Sequence, residues 1–116
     1  MLTADNILVA PLKVSAPFHS RYMIEAQRGF AEFLGQFTFQ PPQRTVIANS
    51  TARPYEPGRV AQTLSEQIVS PVLWTESVRY LLNQGKVEFT EIGSTILTRM
   101  VKEIVTVGLS QVAVPV

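Results

Sequence analysis

Short runs of β-forming apolar residues alternate with helical patterns along this chain, and that alternation restricts the folds it can adopt. Between the runs, apolar residues recur at spacings of three and four, which marks one buried helical face. The resulting order is strand, helix, strand, two helices, strand, helix. Such an order is typical of a parallel sheet covered by helices. The sequence therefore predicts an α/β fold with a short parallel sheet flanked by helices.

Turn and cap residues set the predicted element boundaries. Strands are expected at residues 12–16, 45–48 and 87–92, and Pro11 separates the first of them from a short apolar piece at residues 7–10. Helices are expected at residues 20–34, 57–69, 71–84 and 95–105. Ser20 and Ser70 are the expected N-caps of the first and third helices, because serine hydroxyls accept hydrogen bonds from free helix N–H groups. Gly85 is expected to end the third helix in a left-handed conformation, and Gly93 to permit a tight turn.

Composition and charge exclude several function classes. A chain of 116 residues that is 46% hydrophobic and 16% charged is expected to be one globular unit. Its net charge of +1, with scattered lysines and arginines, disfavours a nucleic-acid surface. The absence of cysteine rules out disulfides, a thiol nucleophile and a zinc cluster, and it fits a cytoplasmic protein. Neither a signal peptide nor a membrane span is recognised, so no membrane partner is expected.

The chain contains a single histidine, His19, at the junction between the predicted strand at 12–16 and the helix that follows Ser20. Chemistry in α/β proteins is commonly placed at such junctions. An imidazole exchanges protons near neutral pH, so His19 is a candidate general base. One histidine without cysteine partners does not make a metal site, and none is predicted. From position alone, a structural role for His19 stays open.

Six motifs stand in order between about residues 12 and 104. They are Ala16-Pro17-Phe18-His19-Ser20, Pro41-Pro42, Asn49-Ser50-Thr51-Ala52-Arg53-Pro54-Tyr55, Gln67-Ile68-Val69-Ser70-Pro71-Val72-Leu73-Trp74, Ser77-Val78, and Phe89-Thr90-Glu91-Ile92-Gly93 with Leu97-Thr98. This series resembles the carboxyl-terminal portion of malonyl-CoA:acyl carrier protein transacylases, and the discrete acyltransferases of polyketide biosynthesis are the most similar. The resemblance implies the end of a small ferredoxin-like subdomain at residues 1–16. It further implies the carboxyl-terminal part of a hydrolase-like large α/β subdomain at 17–106, and a tail at 107–116.

The same resemblance implies a reaction and its residues. In that family a serine in a Gly-His-Ser-x-Gly elbow takes a malonyl group from malonyl-CoA and passes it to the phosphopantetheine thiol of an acyl carrier protein. His19 matches the general base. The backbone carbonyl of Gln67, or of a near neighbour, is expected to orient its ring, although Gln67 also fits a helix-capping role. Fatty acid and polyketide transferases of this kind need no cofactor of their own, since phosphopantetheine arrives on the partner.

Phe18 matches the bulky aromatic residue that malonyl-selective members place before the histidine. Its ring would fill the volume that a methyl branch on the substrate needs. An ordinary core aromatic is the alternative interpretation. The loop Ile92-Gly93-Ser94-Thr95 departs from the Ile-Gly-Pro-Gly usual in the family, which leaves the conformation of this loop open.

One element of the family is missing, because no serine of this chain lies in a Gly-x-Ser-x-Gly context. Three hypotheses follow. The chain supplies the base of an acyltransferase whose serine comes from a missing amino-terminal half or a companion chain. Alternatively, it is a catalytically inactive module that contacts a carrier protein or synthase. An autonomous hydrolase is disfavoured, since no serine present has the context of a nucleophile.

Overall fold

The computed structural model describes residues 3–4, 7–8, 10–86 and 88–112. The strands are β1 (Thr3–Ala4), β2 (Ile7–Leu8), β3 (Ile47–Ala48) and β4 (Arg53–Pro54). The helices are α1 (Ile24–Leu34), which a 3-10 turn at Arg21–Met23 precedes, α2 (Val60–Glu66), α3 (Trp74–Asn83) and α4 (Ile96–Val112). The described part of the chain is thus helix-rich with short strands, in agreement with the predicted α/β class.

The predicted parallel sheet is not present among the described residues, and the pairings found there are antiparallel. β1 pairs with β2, and β3 pairs with β4 so that Ile47 lies opposite Pro54. β3 meets its partner across a four-residue turn, which costs much less chain entropy than a parallel crossover. The expected strand at 12–16 and the described residues 88–92 of the expected strand at 87–92 have no ladder partner, so neither forms a strand. Val87 lies outside the described residues.

Two helix pairs hold the described elements together: α1 packs against α2, and α3 packs against α4. A backbone bond from the Leu73 N–H to the Asn49 carbonyl, 2.8 Å long, ties the start of α3 to the turn after β3. Where burial is described, the buried apolar side chains are Leu34, Ala48, Ala52 and Val78. The α1–α2 contact matters most for the site, because it brings the residues before α1 close to the end of α2.

Local sequence signals predicted some of the helix caps and turns correctly and one of them wrongly. Ser20 is the N-cap of the 3-10 turn, and its hydroxyl accepts from the Tyr22 N–H, as predicted. Gly85 and Gly93 have φ of +78° and +99°, which confirms the predicted left-handed conformation of Gly85 and agrees with the predicted tight turn at Gly93. Ser70 was predicted to cap α3, and this is wrong. Its hydroxyl donates instead to the Glu66 carbonyl at 2.7 Å, because the last carbonyls of α2 need donors, and the N-cap of α3 is Leu73.

The final helix is longer than the sequence predicted. α4 runs from Ile96 to Val112, whereas the apolar pattern predicted an end near residue 105. The helix therefore continues through residues 107–112 of the expected tail, and residues 113–116 lie outside the described part. Within the described residues, no helix combines the length and apolar character needed to cross a membrane.

Candidate active site

His19 lies in a tight turn between the irregular segment at 10–17 and the 3-10 turn that leads into α1. Its φ of +59° is left-handed, a conformation that costs a residue with a Cβ roughly 1–2 kcal/mol. A backbone bond of 2.9 Å from the Phe18 N–H to the Ala16 carbonyl bends the chain before it. Strained backbone of this kind persists where surrounding contacts enforce it, and functional sites are enriched in it.

The Gln67 carbonyl is presented by the end of α2. The Gln67 N–H donates to the Thr63 carbonyl at 3.2 Å and continues the helical bonding one residue beyond the helix. Its own carbonyl accepts from the Ser70 N–H at 3.3 Å. A carbonyl oxygen has two lone pairs, so it can accept a second hydrogen bond. The Gln67 carbonyl can therefore also bind a donor from outside α2.

That second hydrogen bond comes from the histidine. His19 Nδ1 lies 3.0 Å from the Gln67 carbonyl oxygen, across 48 residues of sequence. A carbonyl only accepts, so the contact requires the proton on Nδ1 and leaves Nε2 with its lone pair. His19 is exposed, and Nε2 has no partner within the described ranges. The site therefore holds an oriented imidazole whose basic nitrogen faces outward.

Most of this chain is similar in sequence to part of the malonyl CoA-acyl carrier protein transacylases. A polyketide biosynthesis malonyl CoA-acyl carrier protein transacylase from Bacillus subtilis strain 168 is 46% identical over 98 residues, which are 84% of this chain and 34% of that protein. A second transacylase of this kind, from Bacillus velezensis, is 44% identical over 86% of this chain and 35% of its own length. This chain is a homologue of the malonyl CoA-acyl carrier protein transacylases.

Solved structures agree with that assignment. The malonyl CoA-acyl carrier protein transacylase of Burkholderia pseudomallei matches with a TM-score of 0.76 and 44% identity, over 90% of this chain and 36% of that one. A type II polyketide synthase acyl-carrier protein in complex with its malonyl-transacylase matches with a TM-score of 0.78 and 34% identity, over 83% of this chain and 32% of the matched chain. No family model matches.

This chain is much shorter than the transacylases that it matches. It spans about a third of the curated transacylases it matches, and 13% of a polyketide biosynthesis protein from Bacillus subtilis. The predicted resemblance to transacylases is confirmed. The contact between His19 and the Gln67 carbonyl is present as expected, while the catalytic roles of both residues stay predictions.

Phe18 directly precedes the histidine of this transacylase homologue, and 54% of the residue is exposed. Within the described part of the chain it therefore does not behave as a core aromatic. Its role beside the acyl site and in substrate selectivity stays a prediction.

The contacts of the Ser20 hydroxyl with the backbone before His19 were not anticipated from the sequence. Ser20 Oγ donates to the Pro17 carbonyl at 2.6 Å, across the turn that contains Phe18 and His19. The same oxygen accepts from the Tyr22 N–H at 3.4 Å. The capping function of Ser20 could be read from its position before a helical pattern. The hydrogen bond that its hydroxyl donates to the preceding Pro17 carbonyl depends on the left-handed turn at His19, which no local sequence pattern predicts.

Glu91 stands in one of the six motifs, but the sequence assigned no role to it. Its carboxylate accepts from the Ser94 hydroxyl at 2.6 Å, from the Leu97 N–H at 3.2 Å, and from both the N–H and the hydroxyl of Thr98 at 2.8 Å. These donors, the Ser94 hydroxyl first, lower the pKa of Glu91 from 4.5 to about 2. Glu91 thus anchors the loop with the unusual Gly93-Ser94 sequence to the start of α4.

The other features of the described residues lie apart from His19. A cavity of about 460 Å³ is lined by Phe89, Thr98, Val101, Lys102, Val105 and Thr106. No group of three or more histidine, aspartate or glutamate residues that could hold a metal ion occurs in the described ranges.

Proposed function

We propose that this chain supplies the general base, His19, and one wall of the acyl site of a malonyl-CoA:acyl carrier protein acyltransferase. The observation that carries the proposal is the 3.0 Å contact between His19 Nδ1 and the Gln67 carbonyl. It holds the ring in the tautomer that a base acting through Nε2 requires. The identity to transacylases over most of the chain supports the same reaction.

In the proposed reaction, the nucleophile is a serine that the 116 residues do not contain in a Gly-x-Ser-x-Gly context. His19 Nε2 removes the proton from the serine Oγ as the oxygen attacks the malonyl thioester carbonyl. The imidazolium then gives this proton to the departing CoA sulfur, which leaves a malonyl ester on the serine. The phosphopantetheine thiol of the carrier protein passes its proton to Nε2, takes the malonyl group, and the serine regains a proton from the imidazolium.

The Gln67 carbonyl supports both half-reactions. It is part of the backbone at the end of α2, so the ring position depends on the α1–α2 packing and not on a mobile side chain. It is neutral and cannot accept a proton from the imidazole. Proton movement is thereby confined to Nε2, and the proposal needs no cofactor or metal. Malonyl-CoA is substrate, and phosphopantetheine is carried by the partner.

Exposed apolar residues around the site support a companion segment. Four large apolar residues within seven positions of His19 in sequence are more than half exposed: Leu12, Val14, Phe18 and Tyr22. Soluble proteins rarely leave such surface uncovered without a partner. We propose that the serine-bearing part of an acyltransferase, as a missing half or a companion chain, covers it. The complex of a carrier protein with a similar malonyl-transacylase supports a carrier-protein partner.

A chimera tests the proposal directly. This chain replaces the homologous segment of the Bacillus subtilis polyketide transacylase, and the purified chimera is incubated with radiolabelled malonyl-CoA and then with a phosphopantetheinylated carrier protein. We expect stoichiometric labelling of the chimera and transfer of label to the carrier. A His19→Ala chimera is the control. A folded chimera that takes up no label contradicts the proposal and favours a catalytically inactive interaction module.

A further inference from the structure

The hydroxyl of Ser20 joins the backbone on both sides of the histidine. It donates to the Pro17 carbonyl at 2.6 Å and accepts from the Tyr22 N–H at 3.4 Å. We propose that Ser20 is a positioning residue for His19, which sets the direction of the imidazole toward the Gln67 carbonyl. The effect of Ser20 on catalysis rests on the proposed function. Its effect on the position of the His19 ring can be measured without any activity.

The need for such a tie follows from the backbone of His19. Its φ of +59° is a conformation that a residue with a Cβ leaves unless other contacts hold it there. The segment before it, residues 10–17, belongs to no helix or strand. The hydrogen bond from the Ser20 hydroxyl to the Pro17 carbonyl spans His19 and is the shorter of the two hydrogen bonds that this hydroxyl makes. Removing it frees the turn to relax toward right-handed backbone, which redirects the side chain.

Only one of the two Ser20 bonds carries the proposal. The acceptor function toward Tyr22 is ordinary N-capping, which aspartate performs as well as serine. The donor function toward Pro17 needs an O–H, which an ionised aspartate lacks. Threonine keeps both functions. Substitutions at Ser20 therefore separate the capping role from the positioning role.

The histidine is the only one in the chain, so its imidazole signals are unambiguous in a nuclear magnetic resonance experiment. On the full 15N-labelled chain at about pH 9, above the titration of an ordinary histidine, the ring nitrogen shifts report the tautomer. Nuclear Overhauser contacts between the ring protons and Gln67 report its position. We expect the Nδ1–H tautomer and the Gln67 contacts in the wild type and in Ser20→Thr.

In both Ser20→Ala and Ser20→Asp, the Overhauser contacts between the His19 ring and Gln67 are expected to lose at least half their intensity. In Ser20→Ala, the tautomer population of His19 is also expected to shift toward that of a histidine in a solvent-exposed peptide. Ser94→Ala is the matched control, because Ser94 also donates to a nearby oxygen and accepts from a helix N–H, yet lies elsewhere. Wild-type contacts in Ser20→Asp would show that capping alone matters and would overturn the proposal. Since Ser20→Asp keeps the cap, it decides the question even where Ser20→Ala does not fold.

Kinetics in the chimera adds a readout that a purely structural role would not give. Ser20→Ala should lower kcat for malonyl transfer by about tenfold or more with little change in KM, because misplacing a catalytic group by about 1 Å is that costly. Ser20→Thr should restore kcat. An inactive wild-type chimera together with the expected resonance results would contradict the proposed function while leaving the positioning of His19 by Ser20 intact. Unchanged kcat in Ser20→Ala would count against the proposal itself.

Discussion

The imidazole Nδ1 of His19 lies 3.0 Å from the backbone carbonyl oxygen of Gln67, so one hydrogen bond joins the turn before α1 to the end of α2. The acceptor is neutral and belongs to the main chain. It therefore fixes the tautomer and direction of the ring without taking up a proton. Because the side chain of Gln67 is not the acceptor, the identity of that side chain should matter much less than the course of the backbone.

The chain alone should not become acylated by malonyl-CoA. A base without a positioned nucleophile and oxyanion donors has no oxygen to activate, and no serine here has the required context. Incubation with radiolabelled malonyl-CoA, followed by denaturation and scintillation counting, should detect no bound label. Stoichiometric label that survives denaturation would show that one of the serines present acts as a nucleophile.

His19→Ala and Gln67→Ala should differ greatly in the chimera. Loss of the base should lower the rate of self-acylation by about 10³-fold or more, as in other serine–histidine systems. Gln67→Ala keeps the backbone carbonyl that accepts from Nδ1 and should stay within about tenfold of wild type. Single-turnover labelling measures both rates. Equal losses in the two variants would mean that the Gln67 side chain itself takes part.

Phe18→Ser should relax selectivity in the chimera. With the ring removed, an α-methyl group can enter the space beside His19, and the preference for malonyl-CoA over methylmalonyl-CoA should fall by roughly tenfold, since one methyl is worth about 1–3 kcal/mol. Competition between the two thioesters measures the ratio. Phe37→Ser is the matched control, because Phe37 is exposed to a similar extent. The same ratio in wild type and Phe18→Ser would remove Phe18 from the acyl pocket.

Glu91→Gln should reduce the acid sensitivity of the fold. The folded-state pKa of Glu91 is lowered from 4.5 to about 2, chiefly by the Ser94 hydroxyl. Its carboxylate therefore stabilises the fold fully above about pH 4.5, and this contribution is lost as the pH falls toward 2. Urea midpoints at about pH 6 and pH 3 should fall less in Glu91→Gln than in wild type. Glu103→Gln, on the exposed side of α4, should show the same fall in urea midpoint as wild type. If the urea midpoint of Glu91→Gln falls as much as that of wild type, the role assigned to Glu91 is contradicted.

Val78→Ala should destabilise the chain by about 2 kcal/mol, because the substitution removes two buried carbon groups and leaves a cavity. Val78 lies in α3 and is only 2% exposed. Val107→Ala makes the same chemical change on a helix at a residue that is 50% exposed, and it should alter stability by less than about 0.5 kcal/mol. Urea denaturation measures both. Similar effects at the two sites would mean that the core does not centre on Val78.

Local sequence signals determined the features that depend on neighbouring residues. The approximate positions of α1, α2 and α3, the cap at Ser20, the left-handed Gly85 and the tight turn at Gly93 were predictable, because capping and positive φ act within about one turn of chain. The order of motifs was sufficient for the resemblance to transacylases. It also implied the pairing of His19 with the Gln67 carbonyl, which periodicity and spacing by themselves do not.

Tertiary structure decided the features that depend on which distant groups meet. β3 pairs with β4 and not with a parallel neighbour, and Ser70 closes the end of α2 and not the start of α3. The left-handed turn at His19, and with it the Ser20 to Pro17 bond, appears only once the chain is folded. The physical reason is common to these cases. Propensity ranks the conformations of one residue, whereas a buried or strained hydrogen bond depends on the packing that brings its two partners together.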